Sequence, residues 1–163
     1  MLAPNEARRL LDSINMTTDA GRRDRALIGL MVYSFVRIGA ALAMRVDDVE
    51  EYLLAYIDGC GLCEDRKGPL FRTIGRKTKR LSGTPLPQPN AFAMVRWRAA
   101  PAEIETAIGN HSFRATGITT YLKNGGTLET AATMANHSST RTTQLYDRRP
   151  NDVTLDKVKW VLI

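Results

Sequence analysis

The chain has 163 residues, 44% hydrophobic and 25% charged, with a formal net charge of +6. These values fit one globular domain long enough to bury a core. Its apolar runs are short and broken by charge, which argues against a membrane span. The N-terminus Met-Leu-Ala-Pro-Asn-Glu-Ala-Arg-Arg has no long apolar stretch and does not read as a secretory signal. The cytoplasm is the expected compartment.

Helical spacing predicts a first amphipathic helix over residues 6–14, with Leu10, Leu11 and Ile14 on one side. A second, more apolar helix is expected over 24–35, with Asp24 as its cap and Arg37 just past its end. A short third helix is expected over 39–44, and a fourth over 50–57 that stops at Asp58-Gly59. Residues 59–83 are loose, Gly-rich and basic, with Pro69-Leu70-Phe71 as a short extended piece. Pro85, Pro87 and Pro89 lead into a helix over 90–100.

The last third is the best signposted. A helix opens at Asn110 or His111, runs to about 124, and ends at Gly125-Gly126. Thr127 caps the next helix, which runs to about 135, with Thr130 at its third position. Ser138 or Ser139 caps another that carries Tyr146. Residues 152–163 form a terminal amphipathic tail ending in Trp160-Val161-Leu162-Ile163. The fold class read from this pattern is mainly α.

Basic residues cluster at Arg22, Arg23 and Arg25, at Arg72, Arg76, Lys77, Lys79 and Arg80, and at Arg141, Arg148 and Arg149. That distribution favours a polyanionic partner. Cys60 and Cys63 form a lone Cys-x-x-Cys. A zinc site needs four ligands and no second pair has suitable spacing, so both read as incidental thiols. No cofactor and no metal are expected.

One scattered set carries more chemistry: Arg37, His111, Arg114, His137 and Tyr146. Arginines grip phosphate oxygens in bidentate fashion and keep their charge. Tyrosine can serve as a covalent nucleophile, and histidines move protons near neutrality. His111 and Arg114 are three residues apart, so one helix presents both on one face.

The ordered set, with Phe-Val-Arg-Ile-Gly-Ala around Arg37, His-Ser-Phe-Arg over 111–114, and His137 followed by Tyr146, resembles the tyrosine recombinase (phage integrase) family in its catalytic domain. The resemblance runs from about Pro4 to the C-terminus and is strongest over 109–149. It implies double-stranded DNA as partner and site-specific strand cleavage and rejoining without metal. Arg37 and Arg114 would bracket the scissile phosphate, His111 would exchange the tyrosine proton, and His137 would donate a hydrogen bond to the phosphate. Tyr146 would form the 3′-phosphotyrosine. The family's tail often docks on a neighbouring protomer, which suggests a homo-oligomer on DNA through residues 152–163, with packing on its own domain as the alternative.

Two departures stand out. Ala40 takes the place where the family usually has a glutamate, three residues after Arg37. The family also carries a catalytic lysine on a β-hairpin after the first arginine segment. Here residues 45–49 run straight into a stretch resembling the helix expected after that hairpin. The expectation is therefore a deleted hairpin, with Lys67, Lys77 and Lys79 as solvated charges. The family's N-terminal helical DNA-clamping domain has no counterpart in the sequence. A binding-only, catalytically decayed remnant is one alternative, and a type IB topoisomerase-like enzyme is another.

Overall fold

The computed structural model describes residues 2–48 and 53–148, apart from the Asn110 side chain. The order of elements is α1 (Pro4–Ser13), α2 (Asp19–Tyr33), α3 (Ile38–Ala43), α4 (Leu54–Gly59), β1 (Arg72–Ile74), β2 (Leu81–Pro85), α5 (Gln88–Ala99), α6 (Asn110–Lys123), α7 (Leu128–Met134) and α8 (Thr140–Gln144). The fold is mainly α, with one small antiparallel sheet among the described residues. Within those residues no helix is long and apolar enough to cross a membrane. The tail expected over 152–163, and residues 50–52 of the expected fourth helix, lie outside the described residues.

The long helices begin where local chemistry lets them. The Ala3 N–H donates to Glu6 Oε2 at 2.8 Å at the start of α1, beside Pro4 in its first turn. Thr18 caps α2, its hydroxyl accepting from the Gly21 N–H at 3.1 Å. The helix thus starts five residues before Asp24. Asp24 is no cap but a buried acid inside α2, paired with Arg23 at 2.6 Å and with Arg98 of α5 at 2.8 Å. Its charge is tolerated in the interior because two guanidiniums hold it. Thr127 caps α7 by accepting from the Thr130 N–H, and Ser139 caps α8. Tyr146 falls two residues past α8 rather than on it.

The two strands of the described residues form a hairpin after α4, not in the segment after Asp48 where the family's lysine hairpin is expected and reads as deleted. β1 and β2 pair antiparallel, Arg72 opposite Pro85 and Ile74 opposite Leu81, with an irregularity between. Their turn carries Arg76, Lys77 and Lys79, all exposed, and Lys79 adopts φ 57°. The hairpin follows α4 instead of preceding it. Its signal was weak for physical reasons. The strands span three and five residues, the second is largely exposed Ser-Gly-Thr, and no Asn-Gly or Asp-Gly marks the turn. What holds the hairpin is α2. Asp19 Oδ2 accepts from the Leu81 N–H and faces Arg80 Nε, both at 3.2 Å. Arg23 Nη1 donates to the Arg72 carbonyl at 3.0 Å.

The main core gathers Leu10, Leu11, Leu27, Ile28, Met31, Leu70, Phe71, Val95 and Phe113 from both ends of the chain. A second buried cluster, Phe35, Ile118, Leu122, Ala131 and Ala135, joins the end of α2 to α6 and α7, and Tyr146 packs on it. Gly117 makes this junction possible. A Cβ there would run into the Val32 carbonyl oxygen and the Phe35 ring. Without one, α6 lies close against α2, and Arg114, one turn earlier on α6, reaches the end of α2.

Candidate active site

Two helix ends meet at Arg114. α2 is followed by Phe35 at φ 57° and α7 by Asn136 at φ 47°. A left-handed residue after a helix turns the chain away and leaves the last carbonyls to find other donors. Asn tolerates this conformation; a buried phenylalanine does so only under strain fixed by its surroundings. Arg114 is 2% exposed, and its guanidinium donates to the carbonyls of Phe35 and Ala135. Arg37, at the N-cap of α3 and exposed, donates from Nη2 to the Asn136 carbonyl at 3.4 Å. The same two helix ends therefore hold both arginines.

His111 opens the exposed start of α6, where the Gly109 N–H donates to Ser112 Oγ at 3.1 Å. Its Nε2 stands 3.1 Å from the Tyr146 hydroxyl. Tyr146 is half-buried and held at three further points. Its carbonyl accepts from Thr119 Oγ1 at 3.1 Å, its N–H donates to Thr143 O at 2.9 Å, and its ring stacks on His137 at 6.1 Å between centroids. His137 in turn has Nδ1 2.9 Å from Thr143 Oγ1, a hydroxyl that is fully buried. All five residues expected from the sequence are thus brought together. Thr143, Thr119 and Gln88 were missed; threonines on a helix and a glutamine between two prolines carry no signal of their own.

The electrostatics are one-sided. The buried and half-buried arginines elsewhere have acids: Arg23 and Arg98 share Asp24, and Arg72 has Asp65. Among the described residues no carboxylate stands within ion-pair distance of Arg37 or Arg114. Burial first, and then the charge of Arg37, push the Arg114 pKa below the usual arginine value. His137 is also pushed below the ordinary imidazole value, by burial and then by Arg114, Arg37 and His111. A neutral imidazole whose Nδ1 accepts from Thr143 carries its proton on Nε2 and can donate it to an anion. Between these groups opens a cleft of about 290 Å³, lined by Val36, Arg37, Ile38, Gln88, His111 and Arg114. Concentrated positive charge with donors, and no resident acid among the described residues, is a site for an anion.

Among the described residues no group of three or more His, Cys, Asp or Glu side chains could hold a metal. Cys60 and Cys63 are free thiols. Burial, followed by Asp19, raises the Cys60 pKa.

No family model matches the sequence. Curated relatives do. The tyrosine recombinase XerD of Staphylococcus saprophyticus is 26% identical over 172 residues, covering 90% of this chain and 57% of the relative. XerD of Corynebacterium glutamicum is 28% identical over 184 residues, covering 98% and 59% respectively. The chain is thus similar in sequence to tyrosine recombinases. It spans a little under three fifths of the length of these relatives. Solved recombinases share the tyrosine recombinase fold. XerA superposes with a TM-score of 0.70 at 22% identity, over 96% of this chain and 61% of that one. XerH, solved bound to its difH substrate before cleavage, gives 0.71 at 18% identity, over 98% and 53%. Against the tyrosine recombinase pattern, Ala40 is exposed and small, so Arg37 has no brace from that position.

Proposed function

We propose that this chain is the catalytic portion of a site-specific DNA recombinase, which cuts and rejoins strands through Tyr146. The observation that carries the reading is the Tyr146 hydroxyl at 3.1 Å from His111 Nε2, beside two arginines that pair with no acid among the described residues. The nucleophile and its proton acceptor belong to the same chain, so one copy contains the chemistry of one cleavage.

In this reading Arg37 and Arg114 bind the non-bridging oxygens of the scissile phosphate and stabilise the charge that builds in the transition state. They supply the positive charge that metal ions supply in other phosphoryl-transfer sites. His137 donates from Nε2 to the same phosphate. The Tyr146 oxygen attacks phosphorus, its proton passing to His111, and a bond to O3′-linked phosphate forms as the bond to O5′ breaks. The leaving 5′-oxygen takes its proton from a general acid, for which the exposed Lys77 and Lys79 of the β1–β2 turn are the candidates to test. Rejoining reverses the steps with the 5′-hydroxyl of another strand. The phosphotyrosine conserves the bond energy, so no nucleotide is consumed. The binding-only reading remains the alternative, in which the same arginines hold the phosphate without cutting. Double-stranded DNA is the partner.

The test is covalent trapping on nicked suicide duplexes of randomised sequence. Wild type should leave an SDS-resistant protein–DNA adduct, and Tyr146→Phe none. Adduct in both, or in neither, sinks the reading. Relaxation of supercoiled plasmid without site preference would point instead to a topoisomerase-like activity.

A further inference from the structure

The cleft has one wall with no assigned role. Arg37 reaches it from the start of α3, and His111 and Arg114 from α6; Gln88 reaches it from the start of α5. Gln88 is exposed, and its carboxamide hydrogen-bonds to no described residue. The backbone beneath it is anchored on both sides. The Leu86 N–H donates to the Phe71 carbonyl at 2.9 Å, Pro87 and Pro89 fix the chain direction, and Ala91 is fully buried. The result is a free amide on a rigid stem, aimed into a cationic cleft.

Its chemical type also fits. A helix start favours an acidic side chain, yet the first turn of α5 holds none. A carboxylate here would face the anion that Arg37 and Arg114 attract, whereas an amide N–H can add a hydrogen bond to it. Ala40 leaves the neighbouring wall small, and Gln88 Oε1 approaches the Gly39 position, 4.0 Å from where a Cβ would sit.

We propose that Gln88 is a further substrate-contacting residue of this site, its carboxamide donating to a non-bridging oxygen of the DNA phosphate held by Arg37 and Arg114. This rests on the recombinase reading for its substrate but not for its chemistry. The residue serves to orient the phosphate from the side that the arginines leave open.

Gln88→Ala and Gln88→Glu separate this from a structural role, because glutamate at the first position of a helix stabilises it. The probes are anisotropy of a fluorescent randomised duplex at fixed salt, trapping on the nicked duplexes, and thermal melting. Gln88→Ala should weaken duplex binding by about threefold, the value of one hydrogen bond. Gln88→Glu should weaken it by about tenfold or more while melting at or above the wild-type temperature. Gln88→Glu binding like wild type overturns the proposal. Failure of wild type to form a Tyr146 adduct sinks the strand-transfer reading alone, since the anisotropy series still decides Gln88. A normal adduct with no penalty from Gln88→Glu in either assay sinks Gln88 alone. Wild type that binds no duplex at all overturns both.

Discussion

His111 Nε2 and the Tyr146 hydroxyl lie 3.1 Å apart although 35 residues separate them in the chain. The pairing is built from both sides. α6 fixes His111 through its own start, and the same helix fixes Tyr146 through Thr119 two turns later. His111→Ala should therefore lower the single-turnover rate of adduct formation by about 10²–10⁴, the usual cost of a lost proton acceptor. The melting temperature should hardly move, because His111 is exposed. A rate within about threefold of wild type would remove His111 from the proton path.

His137 couples the site to pH. Its pKa in the folded chain lies below the ordinary imidazole value, because burial, then Arg114, Arg37 and His111, disfavour the charged form. The unfolded chain then binds more protons, so stability is retained above about pH 6.5 and declines as pH falls through the folded pKa. His137→Gln should flatten that part of the curve of denaturant midpoint against pH. Thr143→Val should leave the decline in place. It removes the hydroxyl 2.9 Å from His137 Nδ1, and should slow adduct formation by about fivefold, in keeping with one hydrogen bond of ~1 kcal/mol. Equal pH slopes in wild type and His137→Gln would refute the assignment.

The five residues that the fold brings together, and most helices, were legible in the sequence, and the reasons are local. Thr127 and Thr130 announce α7 by cap chemistry, and Gly125, at φ 91°, ends the helix before it. Long-range relations were not legible. Asp24 resembles a cap until Arg98, 74 residues away, is seen to bind it. The hairpin has little hydrophobic alternation because its hold comes from Asp19 and Arg23 on α2, not from an apolar face. Thr143 and Gln88 acquire meaning only from what the fold sets beside them.

Gly117 should be intolerant of even one methyl group. The Cβ of Gly117→Ala would overlap the Val32 carbonyl, which is backbone and cannot rotate away. α6 would have to move off α2, at a cost of about 1–3 kcal/mol typical of overpacked cores. Arg114 would move with it, loosening its hold on the Phe35 carbonyl. Denaturant midpoints and adduct rates should fall together, and a variant as stable as wild type would contradict the close approach.

Asp24 carries the converse risk. It is 1% exposed and receives hydrogen bonds from Arg23 and from two nitrogens of Arg98. Asp24→Ala strands two guanidiniums beside the core, which typically costs about 3–5 kcal/mol. Arg98→Met should cost less, since Arg23 still balances the acid. Urea unfolding of both variants checks the order; a reversal would mean that the Arg98 link outweighs the pair within α2.

Lys77 and Lys79 share the hairpin turn, and leaving-group chemistry tells them apart. An alkoxide leaving group needs a proton, whereas a thiolate leaves without one because of its far lower pKa. If one lysine protonates O5′, its alanine variant should lose about 10²–10⁴ in cleavage rate on an ordinary duplex. It should recover most of that loss on a duplex with sulfur in place of the bridging 5′-oxygen. The other lysine, exposed and serving only as surface charge, should show a small loss that sulfur does not rescue. Loss without sulfur rescue in both variants would place the turn among the DNA-gripping elements and assign the proton to another donor.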